Sequence, residues 1–530
     1  MPPKMLLGVF ALAISMLSTS LQASIFVYCS EGSPSAFNPQ ITTDGTSNNA
    51  SAHTVYSRLV DFKYGTTEVI PSLAESWKVG KGGKLFTFKL RKGVQFGATK
   101  YFTPTREFNA DDVLFSINRQ RDPNHSYNKV SGGNYEYFKA MEMDTLIKKV
   151  HKIDNYTVEI ELNHPEAPFL ANLAMSFMSI LSKEYADQLE KQNKKEDIDN
   201  YPVGTGPFIF KSYEKDQLIR FDANPKYFDK PPKIDKLVFA ITPDASVRYQ
   251  KLKTGECHLI IEPAPNDIPA IKKDVKLKVM EAPGMNVGYL AMNVSKKPFD
   301  DLYVRRAINH ALNKANYINA IYLGNAIPAV NPLPPTLWGY NHKILGYEHN
   351  VQKAKSLLKR SKYPNGFEAE LWTLPVTRPY NPNGKKMGEM MQADLAQIGI
   401  KVKLVSYDWP TYLAKSRKGE HQMLQLGWTG DNGDPDNFLN VLLGCSGVKA
   451  GSNVSRWCQK NFNQKITKAK TITDQKARAK LYEEAQVIFN DRAPWVPIAH
   501  SVIYRAMSAN VAGYKIDPLG GDIFREVYFE

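Results

Sequence analysis

Residues 367–405 read FEAELWTLPVTRPYNPNGKKMGEMMQADLAQIGIKVKLV, and they predict a complete β–α–β unit. Phe367–Leu374 and Ile400–Val405 have the composition of strands, and the second alternates between apolar and polar residues. Between them, an apolar stripe recurs at helical spacing and ends at Gly399. The stripe consists of Met387, Met391, Leu395 and Ile398. Because strands joined through a helix lie parallel in one sheet, this part of the chain is predicted to be α/β.

The same half of the chain has two opposite charges at positions where α/β proteins bind ligands, beyond the carboxyl ends of strands. Arg378 follows the strand Phe367–Leu374. Asp431 follows another apolar strand, Gln422–Trp428. A guanidinium binds a carboxylate in a bidentate fork, and a carboxylate binds a cation. Each residue alone is also typical of a surface charge, but together they predict a site with one cationic and one anionic receptor.

The composition is typical of a soluble protein with several domains. Of the 530 residues, 43% are hydrophobic and 23% are charged, which argues against disorder and against a collagen or coiled-coil fold. After the N-terminus, no segment reaches the roughly 18 consecutive apolar residues that suggest a spanning helix. The formal net charge is +15, but the basic residues are dispersed. A nucleic-acid partner is therefore not expected.

The first 23 residues predict a cleavable secretory signal. Lys4 supplies a positive charge, Met5–Leu17 is an apolar run that is short for a membrane span, and Ala23 is the expected cleavage point. A buried N-terminal helix is the alternative interpretation. If the signal is removed, the mature protein is exported to an oxidising compartment.

Export makes the four cysteines candidates for disulfides. They are Cys29, Cys257, Cys445 and Cys458. Four cysteines allow three pairings, of which Cys445 with Cys458 is the easiest to close. Zinc is the alternative, but the sequence has no C-x-x-C or H-x-x-x-H spacing that would support a metal site.

The sequence favours a binding protein over an enzyme. It contains no nucleophile elbow G-x-S-x-G, no H-E-x-x-H, no phosphate loop and no G-x-G-x-x-G. The acidic loop Asp431–Asp436 does not fit an EF-hand, because Gly433 and Pro435 stand where oxygen ligands are needed. An exported hydrolase is the alternative, and no metal or cofactor is expected.

Six long motifs, in this order along the chain, resemble those of a single family. They are VYCSEGSPSAFNPQ (27–40), TTEVIPSLAESW (66–77), ADDVLFS (110–116), GTGPF (204–208), ITPDASVRYQKL (241–252) and GWTGDNGDPDNF (427–438). The chain thereby resembles the periplasmic dipeptide-binding proteins of ABC transporters, within solute-binding protein family 5 of the peptide and nickel type. The cysteine spacing is similar as well, and it implies the pairs Cys29–Cys257 and Cys445–Cys458.

This resemblance implies an α/β fold of two lobes, with an extra subdomain in lobe I and the ligand in the cleft between the lobes. After a signal at 1–23, lobe I would take residues 24–283 and return at 502–530, and lobe II would take 284–501. The two crossings between the lobes would act as a hinge.

The resemblance also implies roles for individual residues. Asp431 would hold the ligand's α-ammonium group, and Arg378 would hold its α-carboxylate. The aromatic residues near the ligand would be Tyr380 and Trp409. A segment of lobe I that presents its backbone to the peptide would contain Gly45 and Thr46.

The implied function is that of a periplasmic receptor, expected to be a monomer and not an enzyme, that delivers dipeptides to an inner-membrane ABC permease. Close relatives in this family take haem or glutathione, and these two ligands stay open as alternatives. No motif selects a haem ligand among the 10 histidines.

Overall fold

The computed structural model describes residues 23–530. The predicted signal peptide, residues 1–23, lies outside the described residues except for Ala23. Within residues 23–530, no helix combines the length and the apolar character that a membrane span needs.

Residues 23–530 form twenty strands. They are β1 (Ile25–Ser30), β2 (Val60–Phe62), β3 (Val69–Pro71), β4 (Ala74–Gly80), β5 (Leu85–Leu90), β6 (Ile147–Asp154), β7 (Thr157–Leu162), β8 (Phe208–Glu214), β9 (Leu218–Ala223), β10 (Lys236–Ile241), β11 (Leu259–Ile261), β12 (Leu277–Pro283), β13 (Asn286–Met292), β14 (Ala326–Pro328), β15 (Phe367–Trp372), β16 (Ile400–Val405), β17 (Met423–Thr429), β18 (Trp495–Ser508), β19 (Val511–Ala512) and β20 (Tyr528–Phe529).

The helices range from single turns to the long α18. They are α1 (Gly45–Ala50), α2 (Ala110–Arg121), α3 (Glu136–Ala140), α4 (Met143–Leu146), α5 (Phe169–Leu173), α6 (Lys183–Lys191), α7 (Asp197–Asn200), α8 (Ala245–Thr254), α9 (Ile268–Lys273), α10 (Leu302–Ala311), α11 (Lys314–Ile321), α12 (Val351–Lys359), α13 (Gly384–Ala396), α14 (Trp409–Lys418), α15 (Asp436–Leu443), α16 (Cys445–Ala450), α17 (Lys460–Lys470) and α18 (Gln475–Arg492). Short 3₁₀ turns occur at Pro39–Ile41, Val130–Gly132 and Ser176–Met178.

The long strand β18 joins the two halves of the largest sheet, whose order is β16-β15-β17-β13-β18-β11-β1-β10-β9-β8. The first part of β18 pairs with β13 and β14, and its second part pairs with β11 and β12. The chain crosses between the halves a second time between Pro283 of β12 and Asn286 of β13. The lobe bounds at 24–283, 284–501 and 502–530 stay a prediction.

The predicted β–α–β unit is present. β15 and β16 pair in parallel, from Phe367 opposite Ile400 to Trp372 opposite Val405, and α13 connects them. Strand β15 ends at Trp372, two residues before the predicted end at Leu374. The N–H of Leu374 donates to the side chain of Gln425 and not to a neighbouring strand. The apolar stripe predicted on the connecting helix is buried against these strands. Its side chains are therefore part of the hydrophobic core.

The sequence predicts that Asn109 caps a helix over 109–119 and that Thr473 caps the last long helix, which runs to about Asn490. Asn109 caps α2, as predicted, and its side chain accepts a hydrogen bond from the N–H of Asp111 at 2.8 Å. The expected cap at Thr473 is wrong. Asp474 caps α18 instead, because its carboxylate reaches the N–H of Ala477 at 2.7 Å.

A separate antiparallel sheet, β4-β5-β7-β6, lies beside the large one. Two disulfides join the expected pairs, Cys29 with Cys257 and Cys445 with Cys458, with Cα–Cα distances of 5.9 and 4.8 Å. The first disulfide links Cys29, near the end of β1, to Cys257, two residues before β11, and both cysteines are fully buried.

Candidate functional site

A cavity of about 170 Å³ is lined by residues that follow strands of both halves of the large sheet. Five of the six residues expected near a ligand line it, namely Gly45, Arg378, Tyr380, Trp409 and Asp431. The sixth, Thr46, contacts the Arg378 side chain through its hydroxyl. The structure thus brings these residues together around one space, and their roles toward a ligand remain a prediction.

A tight turn after β15 positions Arg378. Its main-chain N–H and carbonyl exchange hydrogen bonds with those of Asn381, at 3.1 and 3.0 Å. The side-chain amide of Asn381 donates to Gln425 of the neighbouring strand β17 at 3.1 Å. The turn is therefore fixed to the sheet, and the Arg378 side chain is buried at the cavity wall.

The guanidinium of Arg378 contacts Glu31, Thr46 and Trp409. Nη1 donates to Oε1 of Glu31 at 2.6 Å, and Nη2 donates to the hydroxyl oxygen of Thr46 at 3.3 Å. The guanidinium carbon lies 4.9 Å from the ring centre of Trp409, a cation–π distance. Burial lowers the pKa of Arg378, but Glu31, together with Tyr380 and Asp44, outweighs burial, and the pKa lies above its ordinary value. Arg378 is therefore charged at neutral pH.

Asp431 lies in the loop after β17, and hydrogen bonds fix this loop. The N–H of Gly430 donates to the carbonyl of Met285 at 2.8 Å. The N–H of Asp431 donates to Oδ1 of Asn437 at 2.9 Å, and the indole of Trp428 donates to the same oxygen at 2.9 Å. The Asp431 carboxyl group is thereby held at the cavity wall.

The carboxyl group of Asp431 has a hydrogen-bond donor but no cationic partner among residues 23–530. Its Oδ2 accepts a hydrogen bond from the Tyr137 hydroxyl at 2.5 Å. Burial raises the pKa of Asp431 from 3.8 to about 7, and the hydrogen bonds of Tyr137 and Asn437 only partly oppose this effect. A cation beside Asp431 would therefore relieve an uncompensated desolvation cost.

Two glycines allow Tyr380 to approach the sheet closely. A Cβ atom at Gly427 would lie 2.1 Å from the Tyr380 ring, and one at Gly288 would lie 2.2 Å from the Tyr380 carbonyl oxygen. The hydroxyl of Tyr322 donates to that carbonyl at 2.5 Å. Close packing of Tyr380 therefore excludes any side chain at these two positions.

Sequence reasoning missed the partners of both charges, Glu31 and Tyr137. Glu31 directly follows β1, which pairs in parallel with β10 and β11. The strand-end rule that located Arg378 and Asp431 therefore applies to it as well. Tyr137 lies in the short helix α3, where nothing in the sequence distinguishes it from a core tyrosine.

Further charged groups line the same cavity. Arg417 of α14 pairs with Glu136 of α3 and donates to the hydroxyl of Thr43 at 3.2 Å. Burial raises the pKa of both Glu262 and Asp517 to about 7. Within residues 23–530, no group of three or more His, Cys, Asp or Glu side chains could hold a metal ion.

The sequence-family model for bacterial extracellular solute-binding proteins, family 5 (middle), matches residues 68–450 of this chain. The chain belongs to this family. Its members are solute-binding receptors that act outside the cytoplasm.

Two curated relatives of this family 5 chain differ in what their names say they bind. The chain is 50% identical to the dipeptide-binding protein of Escherichia coli (strain K12) over 527 residues, which cover 99% of this chain and 98% of that protein. It is 48% identical to the haem-binding protein A of Haemophilus influenzae over 499 residues, or 94% and 91% of the two chains.

A solved structure of a family 5 relative has the same fold. The dipeptide-binding protein from Pseudoalteromonas sp. SM9913 in complex with Met-Leu matches with a TM-score of 0.93 and 39% identity, over 96% of this chain and 100% of that one. The expected α/β fold of two lobes, with a cleft between them, is confirmed.

Proposed function

We propose that this chain is a periplasmic receptor that binds dipeptides in the cavity and delivers them to an inner-membrane ABC permease. The observation that carries the proposal is that two opposite charges, the buried Arg378 and the partly buried Asp431, line one cavity of about 170 Å³. A dipeptide has one ammonium group and one carboxylate, which match these two charges. The names of relatives at 50% and 39% identity support the same cargo.

The mechanism follows from what all dipeptides have in common. Asp431 binds the α-ammonium group, whose positive charge compensates the desolvation of the Asp431 carboxylate. Arg378 binds the α-carboxylate through its guanidinium nitrogens, while Trp409 supports the guanidinium from one side. The site therefore recognises the two charged ends that all dipeptides share. Water around the ligand's side chains lets the site accept side chains of different size and polarity.

Binding is coupled to a closing motion in this proposal. Arg378 and Asp431 follow strands β15 and β17 of one half of the sheet, whereas Glu31 follows β1 of the other half. The few residues between Pro283 and Asn286, and those in the middle of β18, would act as the hinge. The receptor would work as an exported monomer without catalytic activity, and its two disulfides suit an oxidising compartment.

Haem is the second candidate cargo, because the chain is 48% identical to a haem-binding protein. His53 and Met175 line the cavity, and burial lowers the pKa of His53 to about 4, which leaves a neutral imidazole of the kind that binds haem iron. However, a cavity of about 170 Å³ favours a dipeptide over haem, which is a much larger molecule. Mass spectrometry of ligands carried by the purified protein distinguishes dipeptide, haem and glutathione.

Titration calorimetry with end-modified ligands tests the proposed roles. Asp431→Ala and Arg378→Ala are each expected to weaken binding of a free dipeptide by about 2–5 kcal/mol, a factor of roughly 30 to several thousand. Asp431→Ala should lose the wild-type penalty against an N-acetylated dipeptide, and Arg378→Ala should lose the penalty against a C-terminal amide.

Each variant serves as the control for the other, because each should retain the penalty that its partner loses. If either variant binds a free dipeptide as tightly as wild type, the corresponding residue is only a structural charge and the assignment is wrong.

A further inference from the structure

The guanidinium of Arg378 is already engaged at the end where a ligand's carboxylate would bind. A carboxylate accepts two parallel hydrogen bonds from the fork of a guanidinium. Both terminal nitrogens of Arg378 donate to protein oxygens, Nη1 to Glu31 at 2.6 Å and Nη2 to Thr46 at 3.3 Å. A ligand carboxylate must therefore share this fork or displace Glu31 from it.

The carboxylate of Glu31 accepts fewer hydrogen bonds than that of Asp522, another buried acid. The carboxylate of Asp522 accepts hydrogen bonds on both oxygens, from Tyr28, Asn49, Arg505 and Tyr514. In Glu31 only Oε1 has partners, whereas Oε2 is buried without a hydrogen bond to any described residue. Burial alone raises the pKa of Glu31, but Arg378 and Thr46 outweigh it, and the pKa lies below its ordinary value. The charge of Glu31 thus depends on Arg378.

A second cation, Arg248, interacts electrostatically with Glu31. The guanidinium of Arg248 is fully buried and has no carboxylate partner within ion-pair distance among residues 23–530. It donates only to the main-chain carbonyls of Thr242, Pro243, Ile261 and Glu262. Burial lowers the pKa of Arg248, and Glu31 is the acid that opposes this effect most strongly. Arg248 would therefore still attract Glu31 electrostatically after Glu31 leaves Arg378.

We propose that Glu31 competes with the ligand's terminal carboxylate for Arg378, and thereby sets how strictly the site requires that carboxylate. This inference rests on the proposed function. A free dipeptide must displace Glu31, which reduces its affinity. A ligand with a neutral C-terminal amide leaves the Glu31–Arg378 pair intact, so the loss on amidation is limited. Glu31 thus acts on specificity through Arg378.

The test compares a free dipeptide with its C-terminal amide by titration calorimetry on wild type and Glu31→Gln. The variant retains the shape of Glu31 but leaves Arg378 without an anion. It is expected to bind the free dipeptide about 10-fold more tightly, the scale of one hydrogen bond to a charged group. The ratio of affinities for acid over amide should rise by at least the same factor, because the amide now leaves a buried charge unpaired.

A purely structural role for Glu31 gives the opposite result. If Glu31 only orients Arg378, Glu31→Gln weakens binding of the free dipeptide and does not raise the acid-to-amide ratio, and either result overturns the proposal. Glu31→Asp provides a second variant, because its shorter side chain keeps the charge but withdraws it from Nη1. It is expected to give an intermediate ratio, and if Glu31→Gln fails to fold, an unchanged ratio in Glu31→Asp overturns the proposal.

Glu262→Gln is the matched control. Glu262 is a buried acid that also lines the cavity, but its carboxylate contacts Arg505 at 3.0 Å and not Arg378. Its substitution should leave the acid-to-amide ratio unchanged. If wild type binds no dipeptide at all, the proposed function fails. If wild type binds dipeptides and only the Glu31 results disagree, the competition alone is rejected.

Discussion

Acidification is expected to weaken dipeptide binding through Asp431. The pKa of this carboxyl group is raised from 3.8 to about 7 by burial, so the group is about half protonated at neutral pH. Binding of an ammonium group requires the ionised form, and a protonated Asp431 must release its proton first. Affinity should therefore fall as the pH falls below about 7.

The magnitude follows from the pKa. Well below the pKa, each pH unit costs a factor of ten in affinity, or about 1.4 kcal/mol. Between about pH 7.5 and about pH 5, the expected loss is about 80-fold, or about 2.5 kcal/mol. The ligand itself changes little in this range, because its carboxyl pKa is about 3.5 and its amino pKa is about 7.8.

Titration calorimetry over this pH range, in buffers with different ionisation enthalpies, measures both the affinity and the protons released. Wild type should release about half a proton per dipeptide near pH 7. Asp431→Asn should bind more weakly and with a flat pH profile. Glu262→Gln and Asp517→Asn are the controls, because both acids line the cavity with a pKa of about 7 and should not change the slope.

The same pKa predicts the stability of the free protein. A carboxyl group whose pKa is raised in the folded state contributes stability that is complete below about 3.8 and is lost as the pH rises through about 7. Asp431→Asn should therefore melt at a higher temperature than wild type at about pH 8, with a smaller difference at about pH 5. A wild-type affinity that is constant from pH 5 to 7.5, or an equal slope in Asp431→Asn, would refute the reasoning.

Two other substitutions test neighbouring contacts. Tyr137→Phe removes the hydroxyl that donates to Asp431 at 2.5 Å, so the midpoint of the pH profile should move to higher pH; an unmoved midpoint contradicts this. Lys470→Met removes the buried ammonium group that lies 2.9 Å from Glu142 and 3.6 Å from Glu166. In urea at about pH 8 it should cost about 3–5 kcal/mol of unfolding free energy, whereas the exposed Lys468→Met should cost little; equal losses contradict the assignment.

Local sequence rules predicted the framework of the site. The β–α–β pattern of residues 367–405 determined two parallel strands and the helix between them, and the parallel pairing of β15 and β16 agrees. The strand-end rule then located Arg378 and Asp431 at one cavity without any tertiary information. Such rules work here because they depend on periodicity and on the order of elements along the chain.

Local sequence rules could not predict which residues contact Arg378 and Asp431. The Glu31–Arg378 contact joins residues 347 positions apart, and the Tyr137–Asp431 contact joins residues 294 positions apart. The raised pKa of Asp431 arises from the desolvation of its carboxyl group at the cavity wall, which only the packed structure determines. Sequence could identify the charged residues, but not whether each charge is already compensated.

This difference in compensation makes the two ends of the site unequal. Arg378 has Glu31 as a counterion, so its desolvation cost is largely offset before any ligand arrives. Among residues 23–530, Asp431 has hydrogen-bond donors but no cationic partner, so its desolvation cost remains until a cation binds. A ligand gains most binding energy where it compensates a desolvated charge that has no counterion. The ammonium end should therefore contribute the larger share of the binding energy at a pH where Asp431 is ionised. In the proposed competition, the carboxylate end gains less net energy, because the ligand's carboxylate must first displace Glu31 from Arg378.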